Sequence, residues 1–476
     1  MAFCPSLVFP LFLLLVSSYT HKVYSYSTYG EKELLSFKNH QWTHNKAYNQ
    51  TCFTQKSRTE NGATILEMKH RDFCSRPINN WNQKLQKRLI DDDIRVKSIQ
   101  SRIKNIVSTT QTETQVPITS GIKLEILNYI VTVTLGGRNL TVIVDTGSDL
   151  TWVQCQPCKL CYTQPEPLFN PLISPSYQLV NCSSHACNSL QFATGNFGSC
   201  GGNANACNYV VTYGDGSYTR GELGKDNLVL GNTQIGDFVF GCGQNNKGLF
   251  GAASGLMGLG RSELSLISQT FEKFSGVFSY CLPDTDSLTS GSLIFGNDST
   301  IYENSTPISY TRLLQNPQFY SFYVLNLTGT SIGGVDLQSP RFGQGGILID
   351  SGTVISRLPP SIYKAIKNEF LKQFTGYPTA PSFSILDTCF NLSAYEEVNI
   401  PTLKMKFEGN GELSVDVAGM FYFVKRDASQ VCLALASLLY EDEIGIIGNY
   451  QQRNTRVVYD TKDMKLGFAK ESCTFS

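Results

Sequence analysis

A chain of 476 residues is too long for one hydrophobic core and predicts two or more packed units. Its 41% hydrophobic and 16% charged residues exclude a disordered or coiled-coil polymer, and 39 Lys and Arg against 39 Asp and Glu remove the simple case for nucleic-acid binding. The balance hides an asymmetry: residues 21 to 120 carry 16 Lys and Arg against 9 Asp and Glu, leaving 23 against 30 in the remainder. A basic front segment therefore precedes an acidic body. His21, His40, His44 and His70 lie in the front and His185 alone in the body, so chemistry that needs several imidazoles is nearly excluded there.

In chain order, residues 1–25 read as a secretory signal, with an uncharged apolar stretch from Leu7 to Val16 that is too short to span a bilayer. No later stretch reaches about 18 apolar residues, and the final ESCTFS lacks the tail of a lipid-anchored protein, so no membrane anchor is expected. Sequons at Asn49, Asn139, Asn181, Asn297, Asn304, Asn326 and Asn391 suit a glycosylating, oxidising route. Residues 26–120 are polar and basic, with a helical apolar spacing at Leu85, Leu89, Val96, Ile99 and Ile103. The Thr/Gln-rich STTQTETQVPITSG that follows reads as a linker. The whole stretch is expected to be a removable prosegment.

From residue 121 the period changes from helical to alternating. NYIVTVTL, then Gly136-Gly137, then NLTVIVD reads as a strand, a glycine turn and a second strand, and short strands with Gly-rich turns continue to the end. Helical patterns are few, chiefly SELSLISQTFEKF and SIYKAIKNEFLKQF, the latter with Ser361 as expected N-cap after Pro359-Pro360. Seven cysteines crowd between Cys155 and Cys207, an odd number, so at least one pairs outside the cluster or stays free. Cys155-Gln-Pro-Cys158-Lys-Leu-Cys161 has the spacing of a metal knuckle, but with a signal peptide and twelve body cysteines a disulfide staple is the expected reading. No metal and no cofactor are expected.

The body contains a repeat. VIVDTGSDLTWV around Asp145 and ILIDSGTVISRL around Asp350 each run an apolar strand into Asp-(Thr/Ser)-Gly-(Ser/Thr). Average residue usage gives roughly 0.02 such tetrapeptides in a chain this long. Each copy is followed by an apolar-apolar-Gly segment, Leu256-Met257-Gly258 and Ile446-Ile447-Gly448. The body is thus read as two similar lobes, 121–300 and 301–476, each offering one carboxylate. If the two share a dry cleft, both cannot ionise, and one proton is held jointly over a wide acidic range. The ionised member can then take a proton from water while the protonated member polarises a carbonyl. Gly147 and Gly352 allow tight geometry there, and Ser148 and Thr353 can donate to the outer carboxylate oxygens.

On these motifs the chain resembles the pepsin-like aspartic proteases, of the atypical plant kind related to nepenthesin and the nucellin-like enzymes. The resemblance covers about residue 125 to 476 together with the position and charge of the prosegment. It implies a mostly β, bilobal fold with the cleft between two related β-lobes. It also implies a secreted, monomeric endopeptidase of acidic optimum, acting on protein or peptide substrates and made as a zymogen inhibited by its own prosegment. Asp145 and Asp350 become the catalytic pair, with Thr146 and Ser351 bonding across the lobe interface beneath them. Tyr213 and Gly214 of VVTYGDGSYTRG match a substrate flap, and Trp152 matches the residue supporting its tyrosine. The stretch from Cys155 to Cys207 resembles the insert of the nepenthesin type. The resemblance further pairs Cys281 with Cys473 and Cys389 with Cys432, leaving eight cysteines, including Cys242, for the amino-terminal lobe.

Tyr213 and Trp152 could be packing aromatics, and Ser148 and Thr353 plain turn hydroxyls. Gly329-Thr-Ser331-Ile-Gly333 fits a nucleophile-elbow pattern, but no His follows His185 to serve it, so Ser331 is expected in a β-turn. A catalytically silent member of the same fold, such as the glycosidase-inhibitor relatives, is the alternative function. The extracellular apoplast is the expected location, ahead of vacuole or plastid. Acid and salt are both expected to speed activation, because a basic front segment docks on an acidic body.

Overall fold

The computed structural model describes residues 30–37, 56–71, 81–107, 129–201, 205–213, 216–248, 250–283, 290–296, 302, 305–315 and 320–475. The expected signal peptide, the linker, Gly214 and the sequons at Asn49, Asn297 and Asn304 lie outside the described residues. Most described elements are strands, and no helix among them is long and apolar enough to cross a membrane.

The front segment is more than a helix. Strand β1 (Lys32–Ser36) pairs antiparallel with Glu397–Pro401, and β2 (Ser57–Glu60) forms a hairpin with β3 (Ala63–His70). Strand β3 is buried along its whole length and is hydrogen-bonded to Gly291–Phe295, with Leu66 opposite Leu293. At its end it meets β4 (Tyr129–Leu135), His70 facing Tyr129, so the front segment is a member of the 16-stranded central sheet.

Helix α1 (Trp81–Val107) then crosses the body. The five apolar positions at helical spacing are all buried, and they divide between two clusters. Leu85 and Leu89 pack with Val354, Ile355 and Tyr422, while Val96, Ile99 and Ile103 pack with Phe322, Val324, Leu348 and Ile446. Burial of each such side chain stabilises by about 1.5–3 kcal/mol. This apolar face seats α1 largely on the half of the body that carries Asp350.

The first strand pair of the body is β4 and β5 (Arg138–Asp145), joined by Gly136 and Gly137 with φ of 51° and 76°. Two consecutive left-handed residues are the geometry that a two-residue hairpin turn requires and that glycine adopts without strain. The second half has its own sheets of five, four and four strands, the first centred on Ile347–Ile349 and Gly445–Ile447. The repeat has the same local topology twice: β5 runs parallel to Gly255–Gly258, and Ile347–Ile349 runs parallel to Gly445–Ile447.

Six disulfides tie the described body. Cys281–Cys473 and Cys389–Cys432 are paired as the resemblance implies. Cys155 leaves its cluster to join Cys242, and Cys158–Cys161, Cys182–Cys200 and Cys187–Cys207 close the rest. No metal-holding group of three or more His, Cys, Asp or Glu occurs among the described residues.

Three local expectations are corrected. Helix Pro360–Gln373 has Pro359 as N-cap with no side-chain cap bond, because Pro360 takes the first helical position; the Ser361 N–H is satisfied instead by Glu441. SELSLISQTFEKF forms two single turns, Leu266–Gln269 and Phe271–Phe274, since Thr270 between them departs from helical geometry. Ser331 lies in strand Leu327–Ile332, paired with Asp336, one residue before the turn expected to hold it.

Candidate active site

Each half delivers its Asp at the end of a strand locked by the later apolar-apolar-Gly segment. The Leu259 N–H donates to the Asp145 carbonyl at 2.9 Å, and the Asp350 N–H donates to the Ile447 carbonyl at 3.1 Å. Both backbones are therefore fixed before any side chain is considered. The carboxylates themselves are enclosed, Asp145 at 0% and Asp350 at 1% exposure.

The hydrogen bonds around the pair are near mirror images. Asp145 accepts from the Gly147 N–H at 3.1 Å and the Ser148 hydroxyl at 2.6 Å; Asp350 accepts from the Gly352 N–H at 2.9 Å and the Thr353 hydroxyl at 2.6 Å. Beneath them, the Thr146 N–H donates to Ser351 Oγ at 3.1 Å and the Ser351 N–H donates to Thr146 Oγ1 at 2.9 Å. These reciprocal bonds clamp the two motifs together at the boundary of the halves. Asn449 Nδ2 adds a bond to the Ser351 carbonyl at 2.9 Å.

The two glycines are required by how closely the carboxylates approach. A Cβ on Gly147 would stand 2.7 Å from Asp350 Oδ1, and one on Gly352 would stand 2.6 Å from Asp145 Oδ1. Each carboxylate thus lies against the other motif's backbone, and any side chain at either position would push the pair apart.

Arg95 of α1 joins the two acids. Its Nη2 donates to Asp145 Oδ1 at 2.7 Å and to Asp350 Oδ1 at 3.0 Å, and its Nε donates to Asp350 Oδ2 at 3.0 Å. Burial alone would raise the Asp350 carboxyl. The charge and hydrogen bonds of Arg95, with those of Thr353 and Gly352, instead hold it below the ordinary carboxylate range. Burial likewise opposes the Arg95 charge, and the two carboxylates outweigh it, so the guanidinium is held more firmly protonated than usual.

Tyr213 and Trp152 also meet: the indole Nε1 donates to the Tyr213 hydroxyl at 2.7 Å, and both rings pack edge-on against Phe250. Tyr213 stands on the hairpin between Cys207–Thr212 and Tyr218–Leu230, its N–H bonded to the Ser217 carbonyl. The described motif residues therefore meet around the two acids, and Trp152 and Tyr213 meet each other beside Phe250. Sequence reasoning missed Arg95 and Asn449. Arg95 sits in the charged run DDDIRVK, where nothing separates it from a solvated helix face; Asn449 follows the second apolar-apolar-Gly, a repeat that pointed to its neighbourhood.

Two family models match the body: one described as xylanase inhibitor N-terminal, over residues 129–297, and one described as xylanase inhibitor C-terminal, over residues 322–470. An aspartyl protease family protein of Arabidopsis thaliana is 44% identical, over 80% of this chain and 81% of its own length. The aspartic proteinase nepenthesin-1 of Nepenthes gracilis is 36% identical, over 72% of this chain and 78% of its own. Among solved structures, edgp is 21% identical with a TM-score of 0.58, covering 75% of this chain and 93% of its own. Basic 7S globulin from soybean is also 21% identical, with a TM-score of 0.55, covering 72% of this chain and 91% of its own. These structures share the bilobal β architecture, and the sequence relatives carry the kinship further: the chain belongs to the pepsin-like aspartic proteases of the atypical plant type.

Proposed function

We propose that the chain is the zymogen of a secreted aspartic endopeptidase, in which Asp145 and Asp350 hydrolyse peptide bonds at acidic pH once α1 withdraws. The observation that carries this reading is the mirrored pair of enclosed carboxylates, each with a hydroxyl and an N–H donor of its own and both bonded to one guanidinium. Arg95 occupies the place from which a water would touch both acids. With Arg95 gone, two carboxylates at that distance share a proton. The ionised one takes a proton from water as its oxygen attacks the peptide carbonyl carbon, and the other gives its proton to the carbonyl oxygen. The resulting tetrahedral diol collapses as the C–N bond breaks and a proton passes to the leaving nitrogen, releasing an acid and an amine.

Six disulfides and the apolar leader support an oxidising secretory route, with the extracellular apoplast as destination. Substrates would be proteins or peptides, bound under the Tyr213 hairpin, with no cofactor taking part. The names of the matched family models, and the globulins that share the fold, favour one second reading, a catalytically silent binding protein.

Acid-treated full-length protein offered a denatured protein substrate separates the two readings. The proposed enzyme cleaves it below about pH 5 and is blocked by a pepstatin-type inhibitor. Asp145→Asn and Asp350→Asn each lower the rate by at least about 100- to 10,000-fold, the usual worth of a positioned acid or base. Activity that survives either substitution overturns the mechanism, and a released body that cleaves nothing at any pH promotes the binding protein.

A further inference from the structure

Four buried side chains form a line of hydrogen bonds from Thr146 of the clamp to the backbone of Asp350. Gln452 closes the turn Asn449–Gln452, and its Nε2 donates to the Ile447 carbonyl at 2.9 Å and to the Asp350 carbonyl at 3.4 Å. The Tyr280 hydroxyl meets Gln452 Oε1, the Tyr280 and Tyr459 hydroxyls stand 2.7 Å apart, and the Tyr459 hydroxyl bonds the Thr146 side chain. Thr146, Tyr459, Tyr280 and Gln452 all have 0% exposure. They alternate between the halves: Thr146 and Tyr280 belong to the first, Tyr459 and Gln452 to the second.

The direction of each bond is fixed. Carbonyls only accept, so Gln452 turns its amide NH2 to Ile447 and Asp350 and its oxygen to Tyr280. Tyr280 then donates to Gln452, and its own oxygen accepts from Tyr459. Tyr459, with its one proton engaged, accepts from the Thr146 hydroxyl. Thr146 Oγ1 in turn accepts from the Ser351 N–H at 2.9 Å, and the Ser351 hydroxyl donates to the Val144 carbonyl at 3.4 Å. Burial pushes both phenol hydroxyls up, so they stay neutral and each needs its partner. The rings alone would fill the space, since Tyr459 stacks on Phe278 with 4.4 Å between centroids. A buried hydroxyl left unbonded is costly, and a fully bonded line of them imposes one arrangement.

We propose that Tyr280 and Tyr459, anchored by Gln452, are positioning residues for the paired acids: their one-way line of hydrogen bonds ties Thr146, next to Asp145, to the carbonyl of Asp350 and so sets the spacing of the two carboxylates. This rests on the protease reading above and adds residues that lie too deep to touch a substrate. Without the Tyr459 hydroxyl, the Thr146 proton turns to Ser351 Oγ at 3.3 Å and Tyr280 loses its donor, so the tie across the halves is cut at that link. Two carboxylates held close titrate with widely separated apparent pKa values, and the separation shrinks as they move apart.

The test compares the acid-activated full chain with Tyr280→Phe, Tyr459→Phe and the double variant on one peptide substrate. Active sites are counted by titration with a pepstatin-type inhibitor, so unfolded molecules drop out of the comparison. Each single variant is expected to lower kcat per site about ten- to a hundredfold, the effect of displacing a catalytic group by about 1 Å, with KM unchanged within about twofold. Its bell-shaped pH profile of kcat/KM is expected to narrow, both limbs moving inward as the carboxylates interact less. Tyr280→Phe/Tyr459→Phe should fall no further than the worse single variant, because one missing link already breaks the line. Lost stability alone would scale the rate without moving either limb. A wild type that cleaves while both single variants keep its kcat per site and its limbs overturns the positioning role and leaves the protease reading standing. A double variant whose loss is the product of the two single losses also overturns it. A wild type that cleaves nothing sinks the protease reading, and the positioning role with it.

Discussion

At the scale of single residues, one guanidinium joins the two acids on which the proposed chemistry depends. Three hydrogen bonds tie Arg95 to the carboxylates, and Arg95 is their one cationic partner among the described residues. At the paired acids the sign of the pH effect follows from Asp350, whose carboxyl is held low while α1 is docked, against the upward pull of burial; Asp92 of α1, pushed up by burial, acts in the opposite sense. A group whose pKa is lowered by docking stabilises the docked form above its undocked pKa, and that contribution is lost as pH falls through the docked value. Docking should therefore weaken below about pH 4, the lower edge of the ordinary carboxylate range. Arg95→Gln removes the charge that holds the Asp350 carboxyl low, and hydrogen bonds to charged groups are each worth about 1.5–3 kcal/mol. The unprocessed Arg95→Gln protein should cleave a peptide substrate at least about tenfold faster than the unprocessed wild type near pH 5. Equal rates for the two would mean that Arg95 does not hold the site shut. The acids were legible in the sequence because a tetrapeptide and its flanks recur. Arg95 was not, because its role depends on a contact 50 residues from one partner and 255 from the other.

Helix α1 shows what a hydrophobic period can and cannot reveal. Leu85, Leu89, Val96, Ile99 and Ile103 marked both the helix and its buried face, since one stripe at helical spacing needs only a surface to cover. Strand β3 escaped because ATILEMKH does not alternate: all eight residues are buried. Glu67 pairs with Lys69 of the same strand at 3.1 Å and accepts from Ser290, and the second is a contact that no local period reports. The stripe on α1 carries its own prediction. Leu89 is fully buried against Val354 and Ile355, so Leu89→Ala should cost about 2–5 kcal/mol of docking. The expected result is faster hydrogen exchange over residues 81–107 at neutral pH, with the exchange of β4 and β5 unchanged. Faster exchange spread evenly over the chain, or no change over α1, would show that the face does not seat the helix. Salt should matter less than acid for release. Arg95 and Asp92 are in buried pairs that ions screen poorly, whereas Lys104 to Glu443 at 3.8 Å is a surface pairing of α1 with the body.

For the whole molecule, the duplicated motif revealed two halves and the cysteine count revealed their staples, yet neither disclosed that the front segment contributes to both. Strand β1 forms a two-stranded sheet of its own with Glu397–Pro401, β3 is wedged between Gly291–Phe295 and β4, and α1 joins the two acids. This dispersed attachment changes what a single cut can achieve. The described disulfides all lie between Cys155 and Cys473, so none of them ties the described front segment to the body. Among the described residues, a cut in the Thr/Gln-rich linker would leave the front segment held by its sheet pairing, by the burial of Ile65, Leu66 and Met68 together with the α1 stripe, and by the bonds of Asp92 and Arg95. At about 1.5–3 kcal/mol for each buried side chain, that area outweighs the usual cost of about 4–15 kcal/mol for holding two separate chains together. Nicked protein at neutral pH should therefore elute as one species of unchanged size, resolve into two chains when denatured, and remain inactive until acid weakens the bond between Arg95 and the two carboxylates. Loss of the front fragment on nicking at neutral pH, before any acid step, would show that covalent continuity rather than the sheet and the helix face keeps the cleft closed.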